Sequence, residues 1–178
     1  MQEVLDKTVR SNVAERIDQS KDSILETLAK AVRIQSINPR YPGVDVDKVL
    51  GGERSVNEFF KPILESFGCK TDLFENAPKR TNLVGVLKGT GGGKSLILNG
   101  HIDTVPFGDV KQWKQDPLGA KMADGKMYGR GSTDMKSGDT AMIKAVEAIV
   151  KSGYRLKGDV IITLVVGEET MDHELGTT

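Results

Sequence analysis

Cysteine is nearly missing from this sequence. A single residue, Cys69, in 178 rules out an internal disulfide framework and suits a reducing compartment, with the cytoplasm as the expected one. Net charge is missing too, because 25 Lys+Arg balance 25 Asp+Glu. Polyanion binding depends on phosphate neutralisation by clustered cations, so nucleic acid is not an expected partner. The longest apolar run, residues 160–166, falls far below the roughly 20 residues of a membrane-spanning helix, and no membrane is expected as a partner. The opening MQEVLDKTVR mixes both charge signs and lacks the apolar segment of a secretory leader. Histidine is scarce, with only His101 and His173. What is present is ordinary for a folded domain: 38% hydrophobic and 28% charged residues over a length that suits one domain. Glycine, 20 of 178, exceeds the usual ~7% and clusters between positions 89 and 138, where turns and close backbone approaches tend to build sites.

Hydrophobic spacing predicts helices over 19–34, 53–67 and 137–151. Asn38-Pro39 closes off the first region, while Gly68 and Gly153 stop the second and third. Residues 70–75, 82–87 and 95–99 read as strands, and Ala123-Asp124-Gly125-Lys126 as a hairpin turn. The run 159–166 reads as a central strand apolar enough to be covered on both faces. Helices alternating with buried strands predict an α/β layered domain. A covering element is expected after so central a strand, so the natural polypeptide is expected to continue beyond Thr178.

Ligands of open α/β sheets bind beyond the carboxyl ends of the strands. Three polar clusters fall at such places: Gly100-His101-Ile102-Asp103, Gly131-Ser132-Thr133-Asp134 and Gly167-Glu168-Glu169. In an extended backbone His101 and Asp103 share a face, so a carboxylate could take the free ring N–H of a metal-bound imidazole. A polar pair satisfied by backbone and water is the plainer alternative. Adjacent glutamates point to opposite sides of an extended chain, so one could bind metal while the other serves as a general base; a solvated acidic turn is the plainer alternative. Asp134, just before a helix, could equally be its N-cap. His173 is either a further ligand or an exposed loop histidine. Gly89-Thr90-Gly91-Gly92-Gly93-Lys94-Ser95 lacks the phosphate-loop spacing, since position 88 is Lys, and leads into a strand rather than a helix, so it reads as a turn.

GHIDTVP, YGRGSTDMKSG and GEE, in this order and at these intervals, resemble the co-catalytic zinc amidohydrolases, the family of acetylornithine deacetylase, succinyl-diaminopimelate desuccinylase and glutamate carboxypeptidase. The resemblance spans about 25–169 and includes RIQSINP at 33–39 and Trp113 with Asp116-Pro117. It implies a three-layer αβα sandwich around a mixed, largely parallel sheet, incomplete at the C-terminus. It also implies two Zn2+, with Co2+ or Mn2+ able to substitute. His101 would bind one zinc, Asp134 would bridge both, and Glu169 would bind the second. Glu168 would be the general base, and Asp103 the partner behind His101. A cis peptide between Asp134 and Met135 is implied as well. The implied reaction is hydrolysis of an amide bond in an N-acyl amino acid or short peptide by a zinc-bridged hydroxide.

Members of that family are about twice as long. They carry an inserted lid domain, through which a homodimer forms, and further Asp and His ligands downstream, and no segment here matches these. The chain is therefore expected to be the N-terminal part of a single catalytic domain, and probing residues 1–178 alone is expected to reveal little or no activity. A non-catalytic α/β module with an incomplete metal site, acting only in binding, is the alternative.

Overall fold

A computed structural model gives the fold, and it describes residues 7–171. The chain runs α1 (Lys7–Gln19), α2 (Lys21–Arg33), a single turn α3 (Val46–Val49), α4 (Gly52–Ser66), β1 (Lys70–Ala77), β2 (Arg80–Leu87), β3 (Leu96–His101), β4 (Lys121–Ala123), β5 (Lys126–Tyr128), α5 (Lys136–Lys151) and β6 (Val160–Val165). The strands expected from the sequence are all present, and α2, α4 and α5 lie within a few residues of the expected helices. Gly68 and Gly153 stand just past α4 and α5 with φ of 101° and 83°, the left-handed conformation that ends a helix at low cost. α1 has no counterpart in the sequence reading. It buries no residue, so it has no apolar stripe to detect; it lies against α5, and Asn12 Nδ2 donates to the Tyr154 hydroxyl at 2.8 Å.

Four strands form the main sheet in the order β1-β2-β6-β3. The sheet is mixed, as expected, but its parallel part is confined to β3 and β6; β1–β2 and β2–β6 pair antiparallel. The short link Pro78-Lys79 between β1 and β2 permits only a hairpin. β4 and β5 form a separate hairpin whose turn residues Asp124 and Gly125 both have positive φ, 51° and 71°, as a two-residue turn of that hand requires.

Two glycines show where the helices sit. Gly85 pairs with Ile162 and Gly100 with Leu164, so both lie on the same face of the sheet. A Cβ on Gly85 would come within 2.9 Å of Leu64 in α4, and one on Gly100 would overlap Asp139 in α5. α4 and α5 therefore cover one face, and their approach requires glycine at both positions. Val56, Phe60 and Leu64 from α4, Ile143 and Val146 from α5, and Leu83, Val160, Ile162 and Leu164 from the sheet make the core. Burying such side chains contributes about 1.5–3 kcal/mol each. The opposite face is open among the described residues: Val84, Val86, Ile161 and Thr163 are half-buried, and Ile97 is 63% exposed. β6 thus alternates buried and half-buried residues instead of being covered on both sides. The described residues thus build the expected α/β fold, a mixed sheet packed with helices and incomplete as a sandwich.

At the edge of the core a buried ion pair ties α4 to β2. Arg80 Nε donates to Glu53 Oε2 at 2.8 Å, and Nη2 donates to Oε1; both residues are fully buried. Replacing Glu53 by Ala leaves a buried guanidinium without its carboxylate and should cost about 3–5 kcal/mol. Chemical denaturation of wild type and variant, followed by circular dichroism, measures this; a loss below about 1 kcal/mol would place the pair among weakly coupled surface bridges.

Candidate metal centre

β3 and β6 run parallel, so their carboxyl ends reach the same edge of the sheet, with His101 opposite Val165. β6 then turns at Gly167, φ 94°, into a short 3-10 turn, Glu168–Thr170. The loop before α5 brings Asp134 to the same edge. One ligand atom each from His101, Asp134 and Glu169 lies within 4.8 Å of the others. His101 is buried, Glu169 half-buried and Asp134 exposed, its side chain at 70%. His101 Nε2 is 3.0 Å from Asp134 Oδ1 and 3.5 Å from Glu168 Oε2. The Asp134–Met135 peptide is cis, the arrangement implied by the resemblance. Met135, not Asp134, occupies the N-cap position of α5 and makes no side-chain cap. His173 lies outside the described residues.

Asp103 is the hub behind these groups. It is fully buried; Oδ2 accepts from Asn38 Nδ2 at 2.8 Å and from the Glu169 N–H at 3.1 Å, and Oδ1 from the Glu168 N–H at 3.3 Å. His101 Nδ1 finds the Asp103 main-chain carbonyl at 3.1 Å, while the Asp103 carboxylate is 3.6 Å away. One side chain thus holds the turn carrying both glutamates and faces the imidazole on β3. Asn38 continues the network by donating to Thr170 Oγ1 at 2.9 Å. The sequence reading used Asn38 only to end a helix, and its place opposite Asp103 depends on the pairing of Ile37 with Thr104, which local pattern does not reveal.

The electrostatics suit a cation. Burial pushes the Glu169 carboxyl up, and the charges of Asp134, Asp103 and Glu168 push it further, with His101 opposing them. Burial pushes the His101 imidazole down, but Asp103 beside it and Glu168 outweigh burial and hold it up at about 9. Carboxylates crowded around one histidine are what a divalent ion relieves, and a donor set of imidazole and carboxylate oxygen fits zinc, cobalt or manganese.

Two further buried groups underlie the site, and the sequence reading missed both. Lys136 is fully buried, and its ammonium donates to the Ala31 and Ile34 carbonyls at 3.0 and 2.7 Å, capping the end of α2. Asp139, also fully buried, has neither carboxylate oxygen hydrogen-bonded, and burial pushes its carboxyl well above the usual range. Both stand on the first turn of α5, where a polar residue normally signals solvent.

Residues 97–177, which contain His101, Asp134 and Glu169, match the model of Peptidase family M20/M25/M40. That segment, a little under half of the chain, is what ties it to the M20 family. It is 39% identical over 114 residues, 63% of its length and 27% of the relative's, to an N-formyl-4-amino-5-aminomethyl-2-methylpyrimidine deformylase of Halalkalibacterium halodurans. It is 41% identical over 116 residues, 62% of its length and 30% of the relative's, to the succinyl-diaminopimelate desuccinylase of Cupriavidus necator. The chain also superposes on human carnosine dipeptidase 1 with a TM-score of 0.79 at 22% identity, over 94% of this chain and 36% of that one, a likeness that speaks for the α/β fold. The chain therefore spans about a third of the length of the proteins it matches. No helix among the described residues is long and apolar enough to cross a membrane.

Proposed function

We propose that this M20 domain is the N-terminal part of the catalytic domain of a metal-dependent hydrolase, cytoplasmic in location, that cleaves the amide bond of an N-acyl amino acid or short peptide. The observation that carries the reading is the convergence of His101, Asp134 and Glu169 from three distant segments on one sheet edge. In this reading His101 would hold one ion and Glu169 a second, and Asp134, the most exposed of the three, would serve both. Zinc is the proposed metal, with Co2+ or Mn2+ as substitutes. Divalent metal bound there supplies Lewis acidity toward an amide carbonyl and lowers the pKa of water toward neutrality.

The remaining chemistry belongs to side chains of this chain. Glu168 stands outside the three-residue ligand group, and its carboxylate faces His101 across 3.5 Å. From there it takes a proton from water and passes it to the departing amine. Asp103 is a positioning residue: it orients the His101 ring and, through the two N–H groups it accepts, aims Glu168 and Glu169.

Three protein ligands shared between two ions leave coordination positions to fill. The further Asp and His ligands, and a lid domain with its dimer contact, are assigned in this reading to the remainder of a longer polypeptide. The open sheet face with Ile97 and Ile161, and the share of the relatives' length that the chain spans, support that assignment. Metal analysis combined with an N-acyl amino acid and dipeptide panel tests it. Residues 1–178 should bind zinc weakly and turn over little or nothing, and the longer polypeptide should hydrolyse a member of the panel. Full activity from residues 1–178 would overturn the fragment reading, and a zinc-loaded longer polypeptide that cleaves none would favour a binding module.

A further inference from the structure

The cavities lined by the metal-centre residues are small and polar. One, about 290 Å³, has Asn99, His101, Asp134 and Glu168 in its walls; another, about 200 Å³, has Arg130, Asp134 and Glu169. Their walls offer few apolar side chains, Met135 and Val165 in the first and Val105 in the second. A larger groove of about 580 Å³ lies between α2 and the β4–β5 hairpin. Its walls carry Leu25 and Leu28 from one face of α2, Met122, Met127 and Tyr128 from the hairpin, and Trp113. Gly129, Ser132 and Thr133 line both this groove and the 200 Å³ cavity that contains Asp134 and Glu169. The segment leading to Asp134 is thus a wall common to the groove and the metal centre.

The groove is built rather than incidental. Its floor is a small core of Ala29, Val32 and Ala120, against which Leu28 and Met127 pack. Trp113 is fixed from two sides: its Nε1 donates to the Phe107 carbonyl at 2.8 Å, and the Arg130 guanidinium lies 5.3 Å from the ring centroid. Met122 and Met127 are directly paired across the hairpin, giving an adaptable, polarisable wall. Met122 nevertheless stays 47% exposed, an apolar side chain with nothing over it among the described residues. Its volume and mostly apolar lining, with a few polar groups at one end, are those of a small-molecule site.

We propose that this groove is a specificity subsite that takes an apolar side chain or acyl group of the substrate, placing the adjoining amide at the metal centre along Gly129–Thr133. The proposal rests on the hydrolase reading above and narrows it: the preferred substrate carries an apolar group about as large as a leucine or phenylalanine side chain, not a purely polar one.

Trp113 is the sole tryptophan and therefore reports from inside the groove. Titrating the 178-residue chain with N-acetyl-L-phenylalanine should shift Trp113 emission with a dissociation constant of about 1 mM, and N-acetylglycine should not. Met122→Glu, on an exposed hairpin position, should weaken the response at least about tenfold, and Leu28→Gln should weaken it in the same direction. Titration in the presence of a metal chelator should leave the Trp113 response intact, so loss of the hydrolase reading and loss of the subsite are separable. An unchanged emission, an equal response to N-acetylglycine, or a Met122→Glu response equal to wild type would overturn the proposal. So would a concentration-dependent dimer in sedimentation that Met122→Glu abolishes, because the groove would then be a contact between copies.

Discussion

Replacing His101 by Ala should lower zinc affinity by more than about 100-fold, beyond the 10–100-fold that loss of an outer partner of a metal ligand typically costs. The imidazole is the sole nitrogen donor of the three-residue group and the only buried member of it. Its position is set by β3 on one side and by the Asp103 carbonyl at 3.1 Å on the other. Asp103→Asn is the informative comparison. It keeps the shape of the hub but weakens its hold on the Glu168 and Glu169 N–H groups, and should cost about 10–100-fold. Competition against a chromogenic chelator measures both variants on the metal-binding chain without any turnover. Zinc affinity in His101→Ala equal to wild type would remove His101 from the ligand set and with it the reading of the whole site.

The sequence made different parts of this architecture legible for different physical reasons. α4 was readable because Val56, Phe60 and Leu64 repeat at helical spacing and all three are fully buried. The β4–β5 turn was readable because Asp124-Gly125 is local chemistry. α1 left no trace because a helix that buries nothing has no pattern. In α5, the alanines Ala141 and Ala145 are exposed, while Asp139, Thr140, Lys144 and Glu147 are buried. Small alanines fit either environment, and Glu147 enters the interior paired with Lys144 at 2.8 Å, a long-range decision that composition does not announce. The face of the sheet chosen by α4 and α5 was similarly out of reach, since it follows from the pairings of Gly85 and Gly100 with β6. For the site, the motif order marked which residues to watch, whereas the hub role of Asp103, the reach of Asn38 and the cap that Lys136 places on α2 emerge only once 36–38 pairs with 102–104.

In the longer polypeptide, Glu168→Gln should lower kcat by about 10²–10⁴-fold, the range a positioned general base contributes, with zinc content unchanged. The substitution keeps side-chain size and the backbone N–H that Asp103 accepts at 3.3 Å, so the turn should stay in place and only the capacity to take a proton is lost. Glu169→Gln is the matching control on the same turn. In the proposed reading its oxygen is a metal ligand, so this variant should lose zinc as well as rate, and added metal should restore part of the rate. Glu168→Gln should not respond to added metal at all. The contrast between neighbouring glutamates decides between two accounts of the acidic turn. If both carboxylates merely attract cations, the two variants should lose zinc alike and recover alike. If the turn divides the work, metal content and kcat should separate cleanly between them. Zinc quantification alongside single-turnover rates gives both readouts from one preparation, and a Glu168→Gln enzyme within about threefold of wild-type kcat, less than 1 kcal/mol of barrier, would take the proton-transfer role away from this residue.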